Sequence, residues 1–161
     1  GSAGAGPAGA APAGSGPQDP VAGAVPAAGG SVPLLFDDLY RQGHADYSQG
    51  NYALALQELE EFVQRYPTSD LADDAQLLVG EVWLAQQKHA EAIAAFDRVI
   101  QAYPGGDRAP SAYLKKGLAL LDTNRTADAV IQLQHVITAY PRTEEARIAR
   151  ERLRALGLRE R

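Results

Sequence analysis

The sequence predicts an all-α fold, a right-handed α-solenoid, because residues of the same type recur at one fixed interval. Three Tyr-Pro pairs, Tyr66-Pro67, Tyr103-Pro104 and Tyr140-Pro141, follow one another at 37 residues. The same step separates three glycines and three alanines: Gly43, Gly80, Gly117, Ala55, Ala92 and Ala129. Self-similarity at a period of 20–50 residues is typical of arrays in which each unit packs on its neighbours. Such arrays present a long concave surface, so the repeat predicts a non-enzymatic binding scaffold.

Each repeat contains two helical segments separated by a polar break. In the middle unit one apolar stripe runs to Leu84 and a second begins at Ala92, with Gln86-Gln87-Lys88 between them. Proline cannot continue a helix and restricts the residue before it, so each Tyr-Pro pair ends a second helix. The pattern predicts seven helices, near residues 34–49, 52–65, 70–87, 89–102, 108–122, 126–139 and 143–156.

The three glycines fall in the middle of predicted helices, where glycine costs roughly 1 kcal/mol relative to alanine. Because this cost recurs at one position of the repeat, we interpret the glycines as places where the paired helix approaches closely. The recurring alanines have the same role from the other side. Trp83, Phe96 and Ala92, in the central unit, are predicted to form the densest part of the core.

Composition divides the chain in two. Ala, Gly and Pro fill 25 of residues 1–33, without an aromatic residue or a periodic pattern. Such a segment buries too little apolar surface to offset its ordering entropy, so we predict a disordered linker there. The folded domain is predicted over residues 34–157.

Charge and composition disfavour several classes of function. A net charge of −5 argues against nucleic-acid binding. The chain has no apolar run of 18 residues, so no membrane span is predicted, and it has no cysteine. Residues 36–74 carry a local charge of −7 and residues 142–161 a local charge of +3. We interpret these as solvated helix faces, with opposite poles that steer a partner as the alternative.

No catalytic, cofactor or metal site is predicted. His44, His89 and His135 lie in different repeats and form no metal-ligand spacing. No glycine-rich phosphate loop follows a strand, because no strand is predicted. The enzyme hypothesis is therefore disfavoured.

The repeat resembles the tetratricopeptide repeat, a 34-residue helical pair. The resemblance covers 36–69, 73–106 and 110–143, and Gly80, Ala92, Phe96 and Pro104 carry it in the middle unit. Asp46, Gln42 and Lys116 depart from the preferred residue types. Three extra residues, Asp70–Ala72 and Asp107–Ala109, separate the units and are expected to lengthen the following helix. The segment 144–156 has an apolar and an arginine-rich side, and we interpret it as a capping helix.

A narrower resemblance rests on Tyr66-Pro67-Thr68-Ser69, Ala75, Gly80, Ala92, Phe96 and Tyr103-Pro104. These residues, three repeats and a preceding linker are similar to the C-terminal domain of the periplasmic Tol–Pal-associated cell-division coordinator family. The resemblance implies a Gram-negative periplasmic scaffold that binds an inner-membrane Tol component and the peptidoglycan-synthesis machinery. It also implies a trimer formed through a coiled coil that this chain does not contain, so the isolated domain is expected to be mainly monomeric.

Two alternatives stay open within the same structural class. One is a lipid-anchored subunit of outer-membrane protein assembly, which uses similar long repeats, but more of them. The other is a generic peptide-binding tetratricopeptide module.

In this architecture positions 2, 5, 9 and 12 of each unit face the concave groove. The predicted partner-binding residues are Asp37, Tyr40, His44, Tyr47, Asp74, Leu77, Glu81, Leu84, Ser111, Leu114, Leu118 and Leu121. This set is acidic and aromatic at one end and aliphatic at the other, and it lacks the Lys and Arg residues that would clamp a C-terminal carboxylate. We therefore expect an extended or helical segment with apolar anchors and some basic residues, not an acidic tail. The alternative is that Leu114, Leu118 and Leu121 pack against the capping helix.

Overall fold

The computed structural model describes the backbone of residues 36–158 and the side chains from Asp38 to Leu158. The predicted linker, 1–33, lies outside the described residues. The described part forms seven α-helices: α1 Phe36–Gln49, α2 Tyr52–Arg65, α3 Ala72–Ala85, α4 His89–Ala102, α5 Ala109–Asp122, α6 Thr126–Ala139 and α7 Glu144–Ala155. No strand occurs among these residues, and the predicted α-solenoid is confirmed.

The first two residues of each spacer form a turn and only the third, Ala72 or Ala109, belongs to the next helix, so the expectation that the spacers lengthen that helix holds for one residue in three. Asp70 and Leu71 lie in a turn, and α3 begins only at Ala72. The Ser69 hydroxyl accepts a hydrogen bond from the Leu71 N–H at 3.1 Å, and the Tyr66 carbonyl accepts one from the Ser69 N–H at 3.0 Å. These bonds offer the backbone an alternative to the helix, so the chain turns before α3 starts.

The breaks within repeats share one backbone geometry. Gly50, Gln87 and Asn124 occupy the same position of the 37-residue repeat, and their φ angles are 84°, 62° and 61°. A left-handed residue at this point ends the first helix and reverses the chain. The predicted polar breaks are therefore confirmed as the hairpin turns of the repeats.

Alternate helices lie on the inner side of a curved array. Consecutive helices pack together from α1 to α7, and further contacts join α1 to α3, α3 to α5 and α5 to α7. In the described part, no Cα atoms of α2, α4 and α6 come within 8 Å of one another. The odd-numbered helices therefore line the concave side, and the even-numbered helices lie outside.

The recurring glycines are contact points between paired helices, as predicted. A Cβ atom on Gly43 would lie 2.7 Å from Leu59 Cγ, and one on Gly117 would lie 3.0 Å from Leu133 Cδ2. A Cβ on Gly80 would overlap the ring of Phe96. Ala55, Ala92 and Ala129 are fully buried, as their role in packing requires.

Trp83 is not part of the densest core, which corrects one prediction. Phe96 and Ala92 are fully buried, but the Trp83 ring is only partly covered. The ring lies in the last turn of α3, and the Lys88 ammonium is 5.2 Å from its centroid. Trp83 packs against the edges of two core clusters, and its ring is partly exposed because it lies next to the hairpin turn.

The first repeat has a carboxyl pair where the second has apolar side chains. Asp46 and Glu58 occupy the repeat positions of Trp83 and Ala95. Glu58 Oε2 is buried, and burial, followed by the neighbouring Asp46 carboxyl, raises the pKa of Glu58 to about 7. The Asn51 amide donates to Asp46 Oδ1 at 2.9 Å. The Glu58 carboxyl therefore retains its proton well above the pH at which an unfolded glutamate ionises.

This pair predicts that stability falls as pH rises. The folded pKa of Glu58, about 7, lies above its unfolded value, so the folded state binds the proton more tightly. The stabilisation is complete below the unfolded pKa and is lost as pH rises through the folded pKa. We expect a higher melting temperature near about pH 5.5 than near about pH 8. In Glu58→Gln, whose amide can donate to Asp46 at any pH, thermal unfolding should show a smaller difference.

Glu60→Gln is the matched control, because Glu60 is exposed on the same helix. It should keep the pH dependence of the parent protein. An unchanged pH dependence in Glu58→Gln would place the proton on another group, of which Asp73 is the candidate, since burial and Asp107 also raise its pKa.

Candidate protein-binding groove

The concave side of the array is aromatic where α1 lines it. Tyr40 and Tyr47 are half-buried and His44 is exposed. The Tyr40 ring lies 6.3 Å from the His44 ring and 5.9 Å from Phe62, measured between centroids. The Phe62 contact connects Tyr40 to the core of α2 and α3, so its position is fixed while part of the ring stays accessible. For Asp37 the structure describes the backbone only.

Three of the predicted groove residues are buried, which corrects the predicted lining. Leu77, Leu114 and Ser111 are 7%, 6% and 9% exposed. The Ser111 hydroxyl donates to Glu145 Oε1 at 2.7 Å and so connects α5 to α7. These three residues hold neighbouring helices together and leave little surface for a partner.

The aliphatic end of the predicted groove packs against α7. Leu114 belongs to one buried cluster with Ala146, Ala149 and Leu153 of that helix. Leu118 and Leu121 are partly buried against the same cluster. Leu114 therefore packs with the capping helix, as the alternative interpretation predicts, and Leu118 and Leu121 lie against the cluster that α6 and α7 share. The more accessible part of the predicted lining lies towards α1 and α3.

Two ion pairs cross from the α3 wall to the α5 wall. Asp74 Oδ1 pairs with Arg108 Nε, and Glu81 Oε1 lies 2.8 Å from Lys115 Nζ. Each cation follows its carboxylate by 34 residues, and Tyr40 and Tyr47 precede the two carboxylates by the same interval. We call these sets the Tyr40 row (Tyr40, Asp74, Arg108) and the Tyr47 row (Tyr47, Glu81, Lys115).

Burial, followed by the α3 carboxylates of their own rows, raises the pKa values of the two tyrosines. Burial raises the pKa of Tyr40, and the negative charge of Asp74 raises it further while Arg108 opposes the effect. Burial also raises the pKa of Tyr47, with Glu81 adding to it. Both phenols therefore remain neutral hydrogen-bond donors at physiological pH.

Arg108 and Lys115 were not predicted as lining residues, for a geometrical reason. The sequence repeats at 37 residues, whereas side chains that meet across adjacent inner helices are 34 residues apart. Residues that are 37 positions apart hold the same place in successive repeats, but their side chains are not the ones that meet across the inner helices. A signal was available in the sequence, because Asp74 and Glu81 are each followed by a basic residue 34 positions later. Two cations outside the predicted set, Arg108 and Lys115, therefore lie beside its acidic residues Asp74 and Glu81.

An acidic cavity lies between the loops that join the repeats. It has a volume of about 390 Å³ and is lined by Ser69, Asp70, Asp73, Tyr103, Gly106 and Asp107. The Tyr103 hydroxyl donates to the Pro67 carbonyl at 2.9 Å, so one Tyr-Pro loop holds the next. Within residues 36–158 no group of three His, Asp or Glu side chains is arranged to hold a metal ion.

The helices α1 to α7 are each too short or too polar to cross a membrane. The seven helices, the inner groove and its two rows define a tetratricopeptide-type protein-interaction scaffold. The sequence model of the YfiO family, described as an outer membrane lipoprotein, matches residues 36–160. The chain therefore belongs to the YfiO family.

Solved structures support the fold. The chain is similar to the protein in a structure titled "Crystal structure of MamA", with a TM-score of 0.61 and 20% sequence identity. The match covers 84% of this chain and 77% of that chain. A search of curated protein sequences finds no match. These comparisons support the tetratricopeptide-type repeat, and they do not identify the cell-division coordinator family.

Proposed function

We propose that this protein is a non-enzymatic periplasmic adaptor that binds segments of other proteins in its concave groove. The observation that carries this proposal is the partly accessible aromatic surface of α1, where Tyr40 packs on Phe62 and Tyr47 on Tyr52, beside the ion pairs that join α3 to α5. Tyrosines held in place by packing are enriched among the residues that contribute most to protein binding. The family match, to an outer membrane lipoprotein family, supports an envelope location.

The more specific role we propose is coupling of the Tol–Pal system to septal peptidoglycan synthesis during cell division. The last helix of the array supports a scaffold of that kind. Arg154 takes the position of Gly117, where a paired helix would have to approach. An arginine there disfavours the close packing of a further helix on α7.

The second candidate role is that of a subunit in outer-membrane protein assembly. The family match favours it, because that family is described as an outer membrane lipoprotein. The two roles differ in their partner. Affinity for the periplasmic segment of the inner-membrane Tol component supports the first, and affinity for other outer-membrane assembly subunits supports the second.

The double variant Tyr40→Ala/Tyr47→Ala tests the groove in either role. Truncation of two aromatic anchors should weaken partner binding by about 2 kcal/mol or more, with the fold intact. Isothermal titration calorimetry against the Tol segment measures the affinity, and circular dichroism checks the helices. Tyr140→Ala, the same change on a loop between α6 and α7, is the control. Unchanged affinity in the double variant would place the binding site on the convex side.

A further inference from the structure

We propose that the groove selects a segment with separated charges, basic residues over the α1–α3 side and acidic residues over the α5 side. This inference rests on the proposed function, since it describes the partner of the same groove. It concerns an extended segment whose Lys or Arg residues and whose Asp or Glu residues form two blocks.

The first argument is the direction of the two ion pairs. In both rows the carboxylate belongs to α3, and the cation lies at the start of α5 or within it. The α3 helix carries Asp73, Asp74 and Glu81 and no basic residue. Because both pairs point the same way, negative charge lies on the α3 side of the groove and positive charge on the α5 side.

The second argument is accessibility. The side chains of Asp74 and Glu81 are 20% and 27% exposed, whereas those of Lys115 and Arg108 are 34% and 46% exposed. Arg108 uses Nε towards Asp74, and a guanidinium carries five N–H donors in all. The two cations are therefore more exposed than their partners, and each can pair with a second carboxylate, one that belongs to a bound segment.

The composition of the α1–α3 side also favours a cation there. Tyr40 and Tyr47 precede Asp74 and Glu81 by 34 residues, the interval at which side chains of adjacent inner helices meet. Besides burial, the charges of Asp74 and Glu81 raise the pKa values of these two phenols. A Lys or Arg side chain is attracted both by an aromatic face and by a carboxylate, so this side favours a cation. The groove therefore presents aromatic side chains on α1, acidic side chains on α3 and basic side chains at α5.

The distance between the two walls sets the spacing of the blocks. Packed helices lie about 8–10 Å apart, so the step from the α1–α3 side to α5 spans about 10–20 Å. An extended segment rises about 3.3 Å per residue, so its charge blocks should be separated by about three to six residues.

The test compares two synthetic peptides of identical composition around a Leu-Tyr centre. One has a lysine block at one end and a glutamate block at the other, and the second alternates Lys with Glu. Fluorescence anisotropy should show the block peptide binding at least about threefold more tightly at low ionic strength. The preference should vanish near about 1 M salt, where charges are screened within about 3 Å.

Charge-swapped variants assign the preference to the groove. Glu81→Lys/Lys115→Glu retains an ion pair between α3 and α5 but reverses its direction, so it should shrink the preference. The matched control is Asp97→Lys/Lys116→Asp, which reverses a 2.6 Å ion pair between α4 and α5 outside the rows. This control should retain the preference of the parent protein. Equal loss in both swaps would overturn the proposal.

The remaining outcomes separate this inference from the proposed function. Equal affinity for the two peptides, lost in Tyr40→Ala/Tyr47→Ala, would overturn the charge selection and leave the groove as the binding site. The charge selection would also be overturned, and the groove retained, if neither peptide bound while binding of the Tol segment still required the two tyrosines. A block preference unaffected by the tyrosine variant would overturn both.

Discussion

Phe96→Ala should lower the free energy of unfolding by about 3–5 kcal/mol. Phe96 is fully buried in α4, in a cluster with Leu77 of α3 and Ala112 of α5. Removal of its ring leaves a cavity in the central repeat, which has neighbours on both sides. In a solenoid the stability of one repeat depends on its interfaces with the next, so the loss extends beyond the site.

Equilibrium urea unfolding followed by circular dichroism measures this effect. Leu54→Ala is the control, because Leu54 is 51% exposed on α2 and its truncation should change stability by no more than about 0.5 kcal/mol. A loss below about 2 kcal/mol for Phe96→Ala would show that the surrounding helices collapse into the space.

The helices could be predicted from the sequence because their signals are local and repeat three times. The predicted ranges 52–65, 89–102 and 126–139 match α2, α4 and α6 residue for residue. Each of these helices ends at a Tyr-Pro pair, which fixes its last residue. The first helices of the second and third repeats were less well predicted, because side-chain and backbone bonds in the spacer compete with helix formation.

Burial within the repeat was predicted well for small residues and poorly for Trp83. A glycine or alanine that recurs in a helix has one physical reason, close approach of another helix. Trp83 is a single large residue, and its exposure depends on where the helix ends beside it. The ring lies in the last turn of α3, which periodicity alone does not reveal.

The contacts along the inner helices were predicted only in part, because contacts across repeats do not follow the sequence period. Tyr40, Tyr47, Asp74 and Glu81 were placed on the inner helices from their positions in the repeat, and their role in partner binding stays a prediction. Arg108 and Lys115 were not identified, because they touch residues 34 positions away in an array that repeats at 37. The offset arises from how adjacent inner helices stack, a property of tertiary packing.

Gly80→Ala should destabilise the protein by about 2–3 kcal/mol, even though alanine favours helices by about 1 kcal/mol over glycine. The added Cβ overlaps the ring of Phe96, which is fully buried and has no free space to move into. At Gly117 the corresponding contact, with Leu133 Cδ2, is 3.0 Å, and a leucine methyl yields more easily than a ring. Gly117→Ala should therefore cost less. Gly105→Ala, whose Cβ meets nothing within 4 Å, should be nearly neutral.

A double-mutant cycle with Phe96→Leu tests the cause of this destabilisation. Leucine occupies the matching position in the other two repeats, as Leu59 and Leu133, and both are fully buried opposite their glycines. If the ring is what excludes a side chain at position 80, Gly80→Ala should cost at least about 1 kcal/mol less with leucine at position 96 than with phenylalanine. Equal costs in the two backgrounds would mean that the glycine is required by the backbone of α3 itself. Urea unfolding of the four proteins gives the coupling free energy, which reports how closely α3 and α4 approach in the central repeat.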